Sequence, residues 1–226
     1  MARITIDLSP LIRLFGKGPH LEKAIIKHAM ACEIAGADSV MIPLGKDGDT
    51  ARQKTISILS ESLDRGLLVK FEIDEKSTEA LQELKPTMAV LRYEVEKKNV
   101  LPKSITGLQV AGTLAAVEIQ PDIEIIKQVA KSKCDYIALD CDAYCSAKSL
   151  NSQLAELDKI IKLAELTKRL SMGIIAVGNF DLDKMAKLSN NSLIEEYIVG
   201  LPAFSLSLMN GYRKTIELFK KLALKS

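Results

Sequence analysis

The chain has 226 residues, 47% of them hydrophobic, which suits one domain that buries a full core without disulfide staples. Thirty-one Lys and Arg against 29 Asp and Glu leave a formal charge of +2, and the basic residues are scattered rather than gathered with aromatics into a stripe, which argues against a nucleic-acid partner. MARITIDLSP is no signal-peptide opening and no run approaches the roughly 18 apolar residues of a membrane span, so a soluble cytoplasmic protein without a membrane partner is expected.

In chain order, short β-branched runs alternate with longer segments of helical period. The strand candidates are RITIDL (3–8), SVMIPL (39–44), LLVKFEI (67–73), TMAVLR (87–92), LAAVEI (114–119), YIALD (136–140), MGIIAV (172–177) and EYIVG (196–200). Between the first two, LEKAIIKHAMACEIAGA carries apolar residues at i, i+3, i+4 and i+7 and ends in Gly36, as a helix C-terminus favours. Eight such repeats in one domain of this length predict a (β/α)₈ barrel, an α/β fold spanning residues 1–226. One repeat looks defective. RYEVEKKNVLPKSITGLQVAG, between the fourth and fifth strands, contains Pro102 and two glycines and has no clear period of 3.6, so the fourth crossover helix is expected to be missing. That gap would be covered by the loop or by a neighbouring subunit.

Barrels of this class place function at the C-terminal ends of their strands. The rule puts Asp7, Pro43, Glu72, Arg92, Gln120, Asp140, Asn179 and Gly200 on one rim. The four cysteines, Cys32, Cys134, Cys141 and Cys145, are expected to be free thiols in a chain without a secretion signal.

Several stretches in register carry a family resemblance: TIDLSPLIR, AGADSVMIPL, VKFEI, ELKPTMAVL, ITGLQV, YIALDCDAYCSAK, AVGNF and IVGLPAFSLSLMNGYRKTIELFKKL. Over nearly the whole chain it resembles the pyridoxine 5′-phosphate synthase family of vitamin B6 biosynthesis. The resemblance implies a (β/α)₈ barrel that forms homo-oligomers. It also implies a transferase activity, condensing 1-deoxyxylulose 5-phosphate with 3-amino-2-oxopropyl phosphate, with no cofactor and no resident metal. Such chemistry moves several protons and needs two phosphate loci.

Residue by residue, the resemblance places a catalytic glutamate at Glu72 and the opening aspartate and arginine at Asp7 and Arg13, as catalytic and substrate-binding groups respectively. Each could equally be a structural ion-pair partner. Gly178 and Gly200 could cradle phosphate through backbone N–H groups, or be turn glycines. Family histidines fall on Leu8, Pro43 and Asn179, and a phosphate-binding glycine–arginine pair on Ser205 and Leu206. In GKDGDTARQ only Lys46 and Arg52 could offer charge to a phosphate. The chain's two histidines, His20 and His28, stand elsewhere, and His28 shares a helix face with Ile25 and Cys32 as a packing or surface residue.

The cluster YIALDCDAYC places Asp140 and Asp142 where the family has a histidine and a glycine. A hard cation between Asp140, Asp142 and Glu72, a zinc on Cys141 and Cys145, and a packing role for Cys141 beneath an outward Asp140 all fit the letters, the last best. The expected function is therefore a synthase-like barrel whose altered site binds a small metabolite, phosphorylated or not. The alternatives are retained condensation and a non-catalytic binding or assembly module.

Overall fold

The computed structural model describes residues 2–16, 18–45 and 49–224. Eight strands run β1 (Arg3–Asp7), β2 (Ser39–Pro43), β3 (Gly66–Glu72), β4 (Met88–Arg92), β5 (Leu114–Ile119), β6 (Tyr136–Asp140), β7 (Gly173–Gly178) and β8 (Glu196–Val199). They pair in sequence order as one closed parallel barrel, with β8 returning to β1. The helices are α1 (Pro10–Phe15), α2 (Pro19–Ile34), α3 (Thr50–Ser62), α4 (Glu75–Leu84), α5 (Leu101–Val110), α6 (Ile123–Ala130), α7 (Asp142–Ser146), α8 (Leu150–Arg169), α9 (Leu182–Leu188) and α10 (Leu201–Ala223). No helix among the described residues is long and apolar enough to cross a membrane.

Local chemistry sets most helix starts. Asp49, Asp74, Asp122, Ser149 and Asp181 each accept a hydrogen bond from a backbone N–H in the first turn of the helix that follows. Successive strand residues point to opposite sides of the ladder. One set packs outward against the helices in a large apolar core. The other fills the barrel interior with Met41, Leu68, Met88, Val90, Ala116, Ala138, Ile175 and Ile198.

Below this apolar layer, at the N-terminal end, Glu196 is 1% exposed and accepts from Arg3 Nε at 3.0 Å and from the Thr5 hydroxyl. Arg3 also lies over the Tyr136 ring. Gly173 allows that ring to settle, since a Cβ there would stand 2.3 Å from Tyr136 Cε1. A buried carboxylate with a single cationic partner is costly to strand.

The fourth crossover corrects the sequence expectation: it is a 3₁₀ turn at Val95–Lys97 followed by α5. Pro102 is harmless because it sits in the first helical turn, where its missing N–H has no intrahelical partner to lose. Leu101, Ile105 and Leu108 bury one face of this short helix. Gly107 lets α4 approach, for a Cβ there would meet the end of the Gln82 side chain at 2.2 Å. The outer ring is thus filled at this position by the chain itself.

Leu108→Ala should therefore cost about 3 kcal/mol in urea unfolding, as expected for a buried leucine; an unchanged midpoint would mean that α5 does not pack. Arg3→Met should destabilise by about 3 kcal/mol by stranding Glu196, and adding Glu196→Gln should recover part of that loss in the same assay.

Candidate active site

At the C-terminal ends of the strands the barrel opens into a cleft of about 490 Å³. A wider, shallower hollow of about 810 Å³ lies at the opposite end against Tyr136, Met172 and Gly173. In barrels that end carries stability rather than chemistry, so the cleft at the C-terminal ends is the candidate site.

The inward alternation carries polar groups up from the apolar layer. On β3, Lys70 follows Leu68 two positions on; on β5, Glu118 follows Ala116; on β6, Asp140 follows Ala138. The Lys70 side chain reaches across β4 to Glu118, with Nζ 2.7 Å from Oε1 and 2.6 Å from Oε2. Only the Oε1 contact has hydrogen-bond geometry, which leaves the buried Oε2 without a donor. Neither residue was singled out from the sequence. The signal available was a charge two positions after an inward apolar residue in each of two apolar runs, VKFEI and AAVEI.

Asp7, at the end of β1, lines the same cleft, and its carboxylate accepts from the Ser9 N–H at 2.8 Å and hydroxyl at 2.5 Å. Burial raises its pKa above the ordinary carboxylate value, against the opposing pull of the Ser9 hydrogen bonds and the Lys70 charge. Arg13, exposed on α1, forms part of the wall with Leu14, Leu201 and Phe204.

A hydrogen-bonded chain ties β6, β7 and β8 together beside these groups. Asp140 accepts from Gln120 Nε2 at 2.6 Å and from the Asp142 N–H at 2.9 Å. Asp142 in turn accepts from the Asn179 backbone and side-chain amides at 3.1 and 3.0 Å, and Asn179 Oδ1 accepts from the Leu201 N–H at 3.1 Å. The two acids are thus held by amides rather than by a cation. The starts of α7 and α10 have no side-chain cap of their own and receive these strand-end residues instead.

This arrangement bears on the expected phosphate cradle. Gly178 and Gly200 both line the cleft. However, the Leu201 N–H at the start of α10 is taken by Asn179, and the Ala203 and Phe204 N–H groups are taken by the Gly200 carbonyl. Gly178 has a packing reason of its own, since a Cβ there would stand 3.2 Å from both Cys145 Sγ and Phe180.

Other expected groups lie apart from the cleft. Glu72 ends β3 in an exposed position and is not among the lining residues, and Ser205 is exposed on α10 outside it. Arg52 is 4% exposed and committed to Glu22 at 3.0 Å and the Pro43 carbonyl at 2.7 Å, which corrects its reading as a free phosphate ligand. Lys46 falls outside the described residues. Neither histidine lines the cleft: His20 is exposed at the start of α2, and His28 packs against Phe204 and Tyr212 with Nδ1 2.7 Å from the Tyr212 hydroxyl.

Cys141 is 1% exposed and Cys145 is also buried, both behind the sheet near Gly178. Burial raises both thiols, that of Cys145 to about 12, so neither offers a thiolate near neutral pH. Tyr144 is fully buried and donates from its hydroxyl to the Lys184 carbonyl, a role in packing α7 against α9.

The sequence model of the family described as "Pyridoxal phosphate biosynthesis protein PdxJ" matches residues 17–225. The chain is similar to the pyridoxine 5′-phosphate synthases of Geotalea uraniireducens and of Geobacter sp. strain M21. Each is 24% identical to it over 230 aligned residues, which cover 96% of this chain and 96% of the relative. The synthase of Geobacter sulfurreducens is 21% identical over the same share of both chains.

A carboxyl whose pKa folding raises favours the folded state below its unfolded pKa of about 4 and loses that contribution as pH rises through its folded pKa. Asp7→Asn, which keeps an oxygen for Ser9, is therefore expected to melt at a higher temperature than the native chain at pH 7. The difference should shrink towards pH 4, and equal melting curves at pH 7 would contradict the strained carboxylate.

Proposed function

The chain belongs to the PdxJ family of pyridoxal phosphate biosynthesis proteins, and from that membership we propose that its cleft binds a small phosphorylated metabolite at a site altered from that of the synthases. The observation that carries this reading is one cleft faced by two cations, Arg13 and Lys70, and by the acids Asp7, Glu118, Asp140 and Asp142. An exposed guanidinium at the wall suits a phosphate, which it can hold through two parallel hydrogen bonds. Asp7 is the group to orient an amine or move a proton, while Asp140, Asp142 and Asn179 fix polar parts of the ligand.

What supports alteration is the lack of any histidine on the cleft wall and a proline at the end of β2. Loss of a proton carrier commonly costs about 10²- to 10⁴-fold in rate. Glu72 remains a candidate base only if it reaches inward from its exposed position at the end of β3.

Retained condensation of 1-deoxyxylulose 5-phosphate with 3-amino-2-oxopropyl phosphate is the second reading. It is favoured by the match to named synthases along 96% of the chain. A non-catalytic assembly module loses its particular support, the bare flank, because α5 occupies that flank.

The test has two parts. Calorimetric titration with 1-deoxyxylulose 5-phosphate should give saturable binding that Arg13→Ala weakens about tenfold, the worth of one charge-assisted contact. With both substrates present, pyridoxine 5′-phosphate should form at least about 10²-fold more slowly than with an intact synthase. Equal rates, lost in Asp7→Asn or Glu72→Gln, would replace the altered-site reading with the second one; absence of binding would remove both.

A further inference from the structure

The Lys70–Glu118 pair is poorly explained as a device for stability. An ion pair drawn from water recovers little net energy, and apolar residues of the same volume commonly do as well or better. Here it lies directly above the apolar layer, on the floor of the cleft, where Val90 or Ala116 neighbours could have been continued by another aliphatic side chain. Lys70 is the lysine that lines this cleft among the described residues. Its side chain is 26% exposed and that of Glu118 is 10% exposed, so a ligand in the cleft can reach the amine while the carboxylate stays behind it.

We propose that Lys70 captures the carbonyl group of a small ketone or aldehyde metabolite as an imine, with Glu118 as the base that takes the ammonium proton. The proposal rests on the reading of this cleft as a small-metabolite site and adds a covalent step to it. Glu118 accepts one proton from Lys70 Nζ through Oε1, which already holds the Nζ hydrogen bond at 2.7 Å. The freed nitrogen pair forms an N–C bond to the carbonyl carbon, and the C=O π pair moves to oxygen, which takes up a proton. The nitrogen gives up its second proton to leave a neutral carbinolamine, whose oxygen takes a second proton and departs as water while the nitrogen pair closes the C=N bond, and loss of the third nitrogen proton gives the neutral imine. Amine plus carbonyl gives imine plus one water, and nothing is oxidised or reduced.

Asp7 is suited to the oxygen side of this exchange. It lines the same cleft and stands within electrostatic range of Lys70. A carboxyl whose pKa is raised by burial is the readier proton donor where the ion-paired Glu118 accepts, so that two acids in different surroundings divide the proton transfers. Arg13, whose guanidinium does not deprotonate in proteins, cannot substitute for the amine but can hold an anionic end of the same ligand.

The experiment is reductive trapping. The full chain is incubated with dihydroxyacetone phosphate and sodium cyanoborohydride, with unphosphorylated dihydroxyacetone in a parallel arm, and followed by intact mass and peptide mapping. One equivalent of adduct on Lys70, formed before any surface lysine is labelled, is the expected result. Lys70→Arg keeps a cation opposite Glu118 and should abolish the adduct without loss of folding, whereas Lys70→Met tests the same point with the pair broken. Glu118→Gln should slow trapping about 10²-fold. Labelling spread over exposed lysines, an undiminished single adduct in Lys70→Arg, or no adduct with either ketone would overturn the proposal. Binding of 1-deoxyxylulose 5-phosphate, measured without reductant and weakened in Arg13→Ala, reports separately on the metabolite site and stands or falls independently of imine formation.

Discussion

Closing eight parallel strands into one ladder gives the interior room for only a few side chains at each level, and the alternation of each strand decides which ones they are. Every second residue must enter that space, whether or not it is apolar. The consequence runs the length of the barrel. Met41, Leu68, Val90, Ala116, Ala138, Ile175 and Ile198 form a dry middle, and the same alternation delivers Thr5 and Glu196 below it and Asp7, Lys70, Glu118 and Asp140 above it. The polar groups at both ends are therefore separated by an apolar layer that keeps their charges from sharing partners.

The two ends resolve their buried charge differently. Below, Glu196 is wrapped by Arg3 and Thr5, and the arginine keeps part of its surface in water. The acid is satisfied and closed off. Above, Lys70 and Glu118 satisfy each other only in part, since one carboxylate oxygen lacks a donor. Asp7 is held by a serine against the cost of burial. Incompletely compensated groups beside an open cleft are what a ligand can exploit, because each contact it makes there replaces a deficit rather than a settled interaction.

Rigidity comes from the neighbouring strand ends. The succession from Gln120 through Asp140, Asp142 and Asn179 to the Leu201 N–H links β5 to the first turn of α10 without using a cation. It fixes the acidic side of the cleft and fills the helix start where an anion would otherwise find free N–H donors. The cations that can meet an anion then lie on the other side, on α1 and β3, so the polarity of the cleft is directional.

The sequence by itself determined the eight strands, because β-branched runs and their spacing are local properties, and each observed strand falls within a residue of its expected bounds. The placing of function at strand C-terminal ends needs no tertiary information either; of the rim residues it named, Asp7, Asp140, Asn179 and Gly200 meet in one cleft with Arg13, Asp142 and Gly178, which the family resemblance singled out, whereas Pro43, Glu72, Arg92 and Gln120 do not line it. Only the folded barrel decided the rest. Ten residues of α5, opened by a valine and a proline-bearing turn rather than an Asp or Ser cap, carry too few helical periods to be read without the surfaces they bury against. The meeting of Lys70 with Glu118, 48 positions apart, depends on the stagger of β3, β4 and β5. The exposure of Glu72 and Ser205 and the commitment of Arg52 to Glu22 depend on how far each strand runs and how the helices dock. Periodicity is written in neighbouring residues, whereas the partner of a charge is set by register and packing across the whole ring.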